Sequence, residues 1–143
     1  MKMPPAEILR EGHNVLDPVM LPHGFSFKPG PAGPSSGGPY ASGAYVNENR
    51  ELEIHFRFSL GLVTYHFGKA SLDHESYMCA LLGTNGGNKY PGFPEDPLDA
   101  FKGLAYDLEN FATAFLNGNF EEFSRCVIAA EERKSIQGFA RLP

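Results

Sequence analysis

With 143 residues and 15.7 kDa, the chain has room for a single domain over residues 1–143 and too little length for two ordinary ones. An apolar content of 42% excludes wholesale disorder and implies a core. A net charge of −5 with no cluster of Lys and Arg excludes a nucleic-acid binder that works by phosphate neutralisation, and an acidic surface suits a basic protein partner.

The first residues, Met1-Lys2-Met3-Pro4-Pro5, run straight into Glu7, Arg10 and Glu11, so no signal peptide is expected and the expected location is cytoplasmic. No apolar run approaches the roughly 20 residues that span a bilayer, so no membrane contact is expected. Cys79 and Cys126 lie far apart in apolar-patterned stretches and read as buried thiols.

Pro4 and Pro5 suit the first turn of a helix, with Ile8, Leu9, Gly12, Val15 and Leu16 on one side and an end at Asp17-Pro18. Residues 25–28 alternate as a short strand that Pro29 stops. Residues 30–38, rich in Gly, Pro and Ser, read as a loop within the domain. A strand follows over 40–46, and 47–50 is a polar turn.

The clearest signal comes next. Leu52, Ile54, Phe56 and Phe58 alternate with Glu53, His55, Arg57 and Ser59, and beyond Gly61 the apolar positions change parity to Val63, Tyr65 and Phe67. A hairpin centred on Leu60 and Gly61 pairs Ile54 with Phe67, Phe56 with Tyr65 and Phe58 with Val63, placing His55 beside His66. Around residues 47–50 the same reasoning pairs Tyr45 with Leu52, Gly43 with Ile54 and Ala41 with Phe56.

Ser71 reads as the cap of a helix that ends at Gly83, and 83–96 as a long loop. Asp96 and Pro97 open the strongest helix, with Leu98, Phe101, Leu104, Leu108, Phe111 and Phe115 at three- and four-residue steps and Gly118 closing it. Asn119 and Glu122 resemble a capping box for a last helix carrying Phe120, Phe123, Val127 and Ala130, with 135–143 as a tail. The fold class expected is α+β: an antiparallel four-stranded meander sheet covered on one face by helices, with Phe101, Leu104, Leu108, Phe111, Ile54, Phe56 and Phe58 in one core.

Residues 35–43 (Ser-Ser-Gly-Gly-Pro-Tyr-Ala-Ser-Gly), 60–66 (Leu-Gly-Leu-Val-Thr-Tyr-His), Tyr90-Pro91-Gly92-Phe93 and Asp96-Pro97-Leu98 together resemble a family of uncharacterised small bacterial proteins with no assigned activity. The resemblance spans most of the chain and implies a bacterial, cytoplasmic domain, with no catalytic residue to carry over. In size, acidity and helix-covered sheet the chain is also similar to immunity proteins that neutralise secreted toxins.

On the sheet face away from the helices, the pairing gathers Tyr40, Ser42, His55, Arg57 and His66 into the best candidate binding site. Imidazoles titrate near neutrality, and an Arg beside a Tyr can clamp a carboxylate or phosphate. The ordinary alternative is a plain solvated face, common for open antiparallel sheets. His55, His66, Asp73 and His74 offer metal-ligand atoms, but their spacing matches no known module, so no metal or cofactor is expected. His74, beside Met78 and Leu81 on a helix, reads as a hydrogen-bonded structural histidine, and His13 and His23 as side chains without partners. The Gly/Pro/Ser loop lacks the Gly-Lys-Ser/Thr of a phosphate cradle, and no nucleophile elbow is present. Tyr90 and Phe93 are expected to fold back over the end of the core. The function expected is protein binding, with immunity-like neutralisation as its specific form; the alternative is a small-molecule-binding or hydrolytic domain built on His55, Arg57 and His66.

Overall fold

In the computed structural model, residues 5–33, 40–56, 60–83, 87–90 and 97–140 are described, with the side chains of the last helix described as far as Arg133. Helix α1 (Pro5–Met20) is followed by a short 3-10 turn (Leu21–His23) and five strands: β1 (Ser26–Gly33), β2 (Tyr40–Asn47), β3 (Arg50–Phe56), β4 (Leu60–Phe67) and β5 (Ala70–Asp73). Helices α2 (His74–Leu82), α3 (Pro97–Phe111), α4 (Thr113–Leu116) and α5 (Phe120–Ala140) complete the chain. The strands form one antiparallel sheet in chain order, so the fold is α+β as expected, but with five strands where the sequence suggested four.

The added strand is β5. Leu72 pairs with Tyr65 and is buried while Ser71 is exposed, so 70–73 extends the meander and the helix starts after it. Asp73, not Ser71, caps α2: its Oδ2 accepts from the Ser76 N–H at 3.1 Å. At the other edge, β1 runs past Pro29 to Gly33, with a register shift between Pro29 and Ala32. An edge strand and an irregularity are the two places where a sheet tolerates proline, so the expected stop is absent.

Helix α1 likewise continues through Pro18 to Met20, which is fully buried. Helix α3 ends at Phe111 instead of running to Gly118; Ala112, itself buried, separates it from α4. As a result Phe111 is half-buried against Tyr106 at the rim, outside the central position expected for it. Phe58 lies outside the described residues. The last helix reaches Ala140, so 135–140 continues it instead of forming a tail, and the Asn119 Oδ1 accepts from the Glu122 N–H at 2.9 Å.

The core lies between the sheet and the helices. Leu52, Ile54 and Phe56 of β3 and Val63, Tyr65 and Phe67 of β4 are buried against Phe101, Leu104, Leu108, Phe115 and Phe123. Phe56 stacks on Phe101 with centroids 6.1 Å apart, and Tyr65 meets Phe115 edge-on at 4.9 Å. Helix α1 approaches α3 closely because Gly12 faces the Phe101 ring, 2.6 Å from where a Cβ would sit. Gly43, on the core face of β2, plays the same part beneath Phe27. Arg50 ties the sheet to α4: its two terminal nitrogens donate to the carbonyls of Leu116 and Gly118 at 3.2 and 2.7 Å, and its guanidinium lies over Phe67. No described helix is long and apolar enough to cross a membrane. Cys79 and Cys126 are unpaired and half-buried, less enclosed than expected, and Arg133 donates to the Cys79 sulfur.

Candidate functional site

The β2–β3 register is the expected one: Ala41 opposes Phe56, Ser42 opposes His55, Gly43 opposes Ile54 and Tyr45 opposes Leu52. The β3–β4 register is not. Ile54 pairs with Val63, Leu52 with Tyr65, Glu53 with Thr64 and Glu51 with His66. Paired numbers sum to 117 over this stretch instead of 121, a slip of four residues that keeps every side chain on its expected face but changes its neighbour. The slip arises because Gly61 belongs to β4, which already starts at Leu60. His55 and His66 are therefore not directly opposed.

What joins them is Glu53. Its Oε2 lies 2.5 Å from His55 Nε2 and its Oε1 lies 3.1 Å from His66 Nε2. The hydrogen bond from His55, supported by the one from His66, holds the Glu53 carboxyl below the usual carboxylate range against the opposing effect of its partial burial. Glu51 stands two residues before Glu53 on the same strand face and directly across from His66. One ligand atom from each of Glu51, Glu53 and His66 falls within 4.8 Å of the others. Glu51 and Glu53 were missed as site residues in the sequence, although their spacing of two on an alternating strand was the available signal.

Of the other expected site residues, Ser42 lies on the same face but is buried, and its hydroxyl donates to the Pro31 carbonyl at 2.8 Å where β1 shifts register. It thus fastens the edge strand. Tyr40 is half-buried at the start of β2, paired with Gly33, and Arg57 lies outside the described residues. Between β1 and β3 the face is hollowed into an open trough of about 290 Å³, because β2 turns only Ser42, Ala44 and Val46 into it. Glu51, Glu53 and His55 form one wall; Lys28, Pro29, Gly30 and Pro31 form the other.

His74 is a buried structural histidine, as expected. Its Nε2 donates to Asp107 Oδ2 at 2.9 Å, which leaves Nδ1 to accept from the Tyr65 hydroxyl at 2.7 Å. Asp107, also buried, accepts the backbone N–H groups of Lys89 at 2.6 Å and Tyr90 at 2.8 Å. Tyr90 folds back into the core, as expected, and its hydroxyl donates to the carbonyls of Leu60 and Gly61; Phe93 lies outside the described residues. With these polar atoms engaged and the side chains of Tyr65, His74 and Asp107 buried, this network is structural. His13 has partners after all: it stacks on Phe27 at 4.5 Å and faces Asp17 at 3.4 Å. The His23 carbonyl accepts from the Asn47 amide at 3.0 Å.

Comparison with protein-family models, curated proteins and solved structures finds no match to the chain.

Proposed function

We propose that the chain is a binding domain whose open sheet face takes a basic segment of a partner protein. The observation that carries this reading is the trough between β1 and β3, with a floor of small side chains and a wall of Glu51 and Glu53. At about 290 Å³ and open along its length, it is at or below the roughly 300–1,000 Å³ of pockets that enclose small molecules. An extended Lys or Arg side chain laid along it would meet both carboxylates. The chain's net charge of −5 supports the same sign of partner. The narrower form of the reading is neutralisation of a secreted toxin, as immunity proteins do; size, acidity and the helix-covered sheet support it, and it requires that the captured partner be a toxin whose activity the chain suppresses.

The test is partner capture with the wild-type chain and with a Glu51→Lys/Glu53→Lys variant, followed by amide mapping of the complex by NMR. The expected result is a partner that the variant loses, that added salt weakens, and whose footprint covers β2 to β4. Retention of the partner by the charge-reversed chain, or a footprint confined to the helices, would overturn the reading.

A further inference from the structure

From the placement of Glu51, Glu53 and His66 on the open sheet face, we infer that these three side chains bind a divalent transition-metal cation of the Zn²⁺ type, with His55 positioning Glu53. The inference goes beyond the partner-binding reading and needs no second protein; a bound cation and a basic side chain would compete for Glu51 and Glu53.

Three features of the geometry carry it. First, the ligand atoms are gathered by the backbone. Glu51 and Glu53 are two residues apart on β3, and His66 is the cross-strand partner of Glu51, so three donors on one side of a paired ladder stand within 4.8 Å of each other.

Second, one separation is already close to that of coordinated atoms. Metal–ligand bonds of about 2.0–2.2 Å put adjacent ligand atoms roughly 3.3–3.6 Å apart around a tetrahedral ion, and Glu53 Oε1 lies 3.1 Å from His66 Nε2. That position is now bridged by a ring N–H. When a cation takes it, the imidazole carries its proton on Nδ1 and presents the Nε2 lone pair, while the carboxylate stays ionised.

Third, Glu53 is already oriented. His55 Nε2 is 2.5 Å from the other carboxylate oxygen, the kind of outer contact that fixes a ligating carboxylate and sharpens affinity. One imidazole and two carboxylates suit Zn²⁺ better than Ca²⁺ or Mg²⁺, which favour all-oxygen sets. Three protein ligands leave a coordination position for water, and all three side chains are partly exposed.

The experiment is a Zn²⁺ titration of the full chain, read by NMR of the histidine ring resonances and by competition with a chelating indicator. The wild-type chain should bind one equivalent, moving the His66 and His55 rings while those of His13, His23 and His74 stay in place. Glu51→Gln and His66→Ala should each weaken binding at least tenfold. His55→Ala should weaken it by about 10–100-fold, as loss of an outer-shell contact does. All four side chains are partly exposed, so the variants should keep the wild-type circular dichroism spectrum. A Cys79→Ser/Cys126→Ser variant should bind as the wild type does. No shift of the His66 ring at millimolar Zn²⁺, undiminished binding by both Glu51→Gln and His66→Ala, or loss of binding with the cysteines would overturn the inference.

Discussion

Replacing Asp107 with Ala tests whether the segment 87–90 is held to the helix layer by a single buried carboxylate. Three donors end on that side chain: the backbone N–H of Lys89, the backbone N–H of Tyr90 and the His74 ring. Lys89 is exposed, so its N–H can turn to water. The Tyr90 N–H and His74 Nε2–H are buried and would be orphaned. At about 1–3 kcal/mol for each stranded donor, the two together give about 2–6 kcal/mol, and we expect about 4. Asp107→Asn keeps one accepting oxygen for the Tyr90 and His74 donors and opposes only Lys89, so it should cost about 1–2 kcal/mol. Urea unfolding with an unchanged slope would measure both values, and hydrogen exchange at the Tyr90 amide would place the effect locally. A cost below about 1 kcal/mol for Asp107→Ala, or a Tyr90 amide as protected as in the wild type, would refute the tether.

Phe56→Ala removes a ring that is 2% exposed and stacked on Phe101, and should cost about 3–5 kcal/mol in a denaturant melt. Phe111→Ala, at the rim, should cost about 1–2 kcal/mol, and equal losses would contradict the break at Ala112. Gly12→Ala gains about 1 kcal/mol of helix propensity but drives a methyl into the buried Phe101 ring, which costs about 1–3 kcal/mol; thermal melts should show net destabilisation. In alkali, burial raises the Tyr45, Tyr65 and Tyr77 hydroxyls well above their usual value and pushes Tyr90 up to about 12. The stability these groups contribute is therefore full below about pH 10, where the unfolded tyrosines begin to ionise, and is lost as pH rises toward the folded values. Tyrosinate absorbance from them should appear together with loss of the circular dichroism signal, and a smooth titration in the folded state would count against their burial.

Faces proved easier to read from the sequence than neighbours. The alternation from Leu52 to Phe56 and its change of parity by Val63 identify which side chains point to the helices, because a side chain's side depends only on odd or even position. Parity is blind to a slip of two or four residues, and Gly61, a natural turn residue, suggested a hairpin centre too far along the chain. The site moved accordingly: Glu53, not direct opposition, unites the two histidines. Around residues 47–50 there was no such ambiguity, since Asn47 and Arg50 close a two-residue turn in which Glu48 takes a positive φ of 53°. The strand at 70–73 was hidden by its shortness, and β1 beyond Pro29 by a composition that signals a loop. The network of His74, Tyr65 and Asp107 was only partly visible, since it depends on contacts between residues up to 33 positions apart in the numbering, and no local pattern encodes them.

The prolines of β1 also bear on how copies of this protein meet one another. An exposed sheet edge is a template on which further strands can grow, and it grows through regularly spaced backbone N–H and C=O groups. Pro29 and Pro31 contribute no N–H, and the register shift between Pro29 and Ala32 disturbs that spacing in the middle of the strand. At the opposite edge β5 is only four residues long and packs against α5. Neither margin offers a long, regular ladder, so a concentrated solution is guarded against edge-to-edge stacking, and straightening β1 by replacing both prolines would expose it to fibrillar growth.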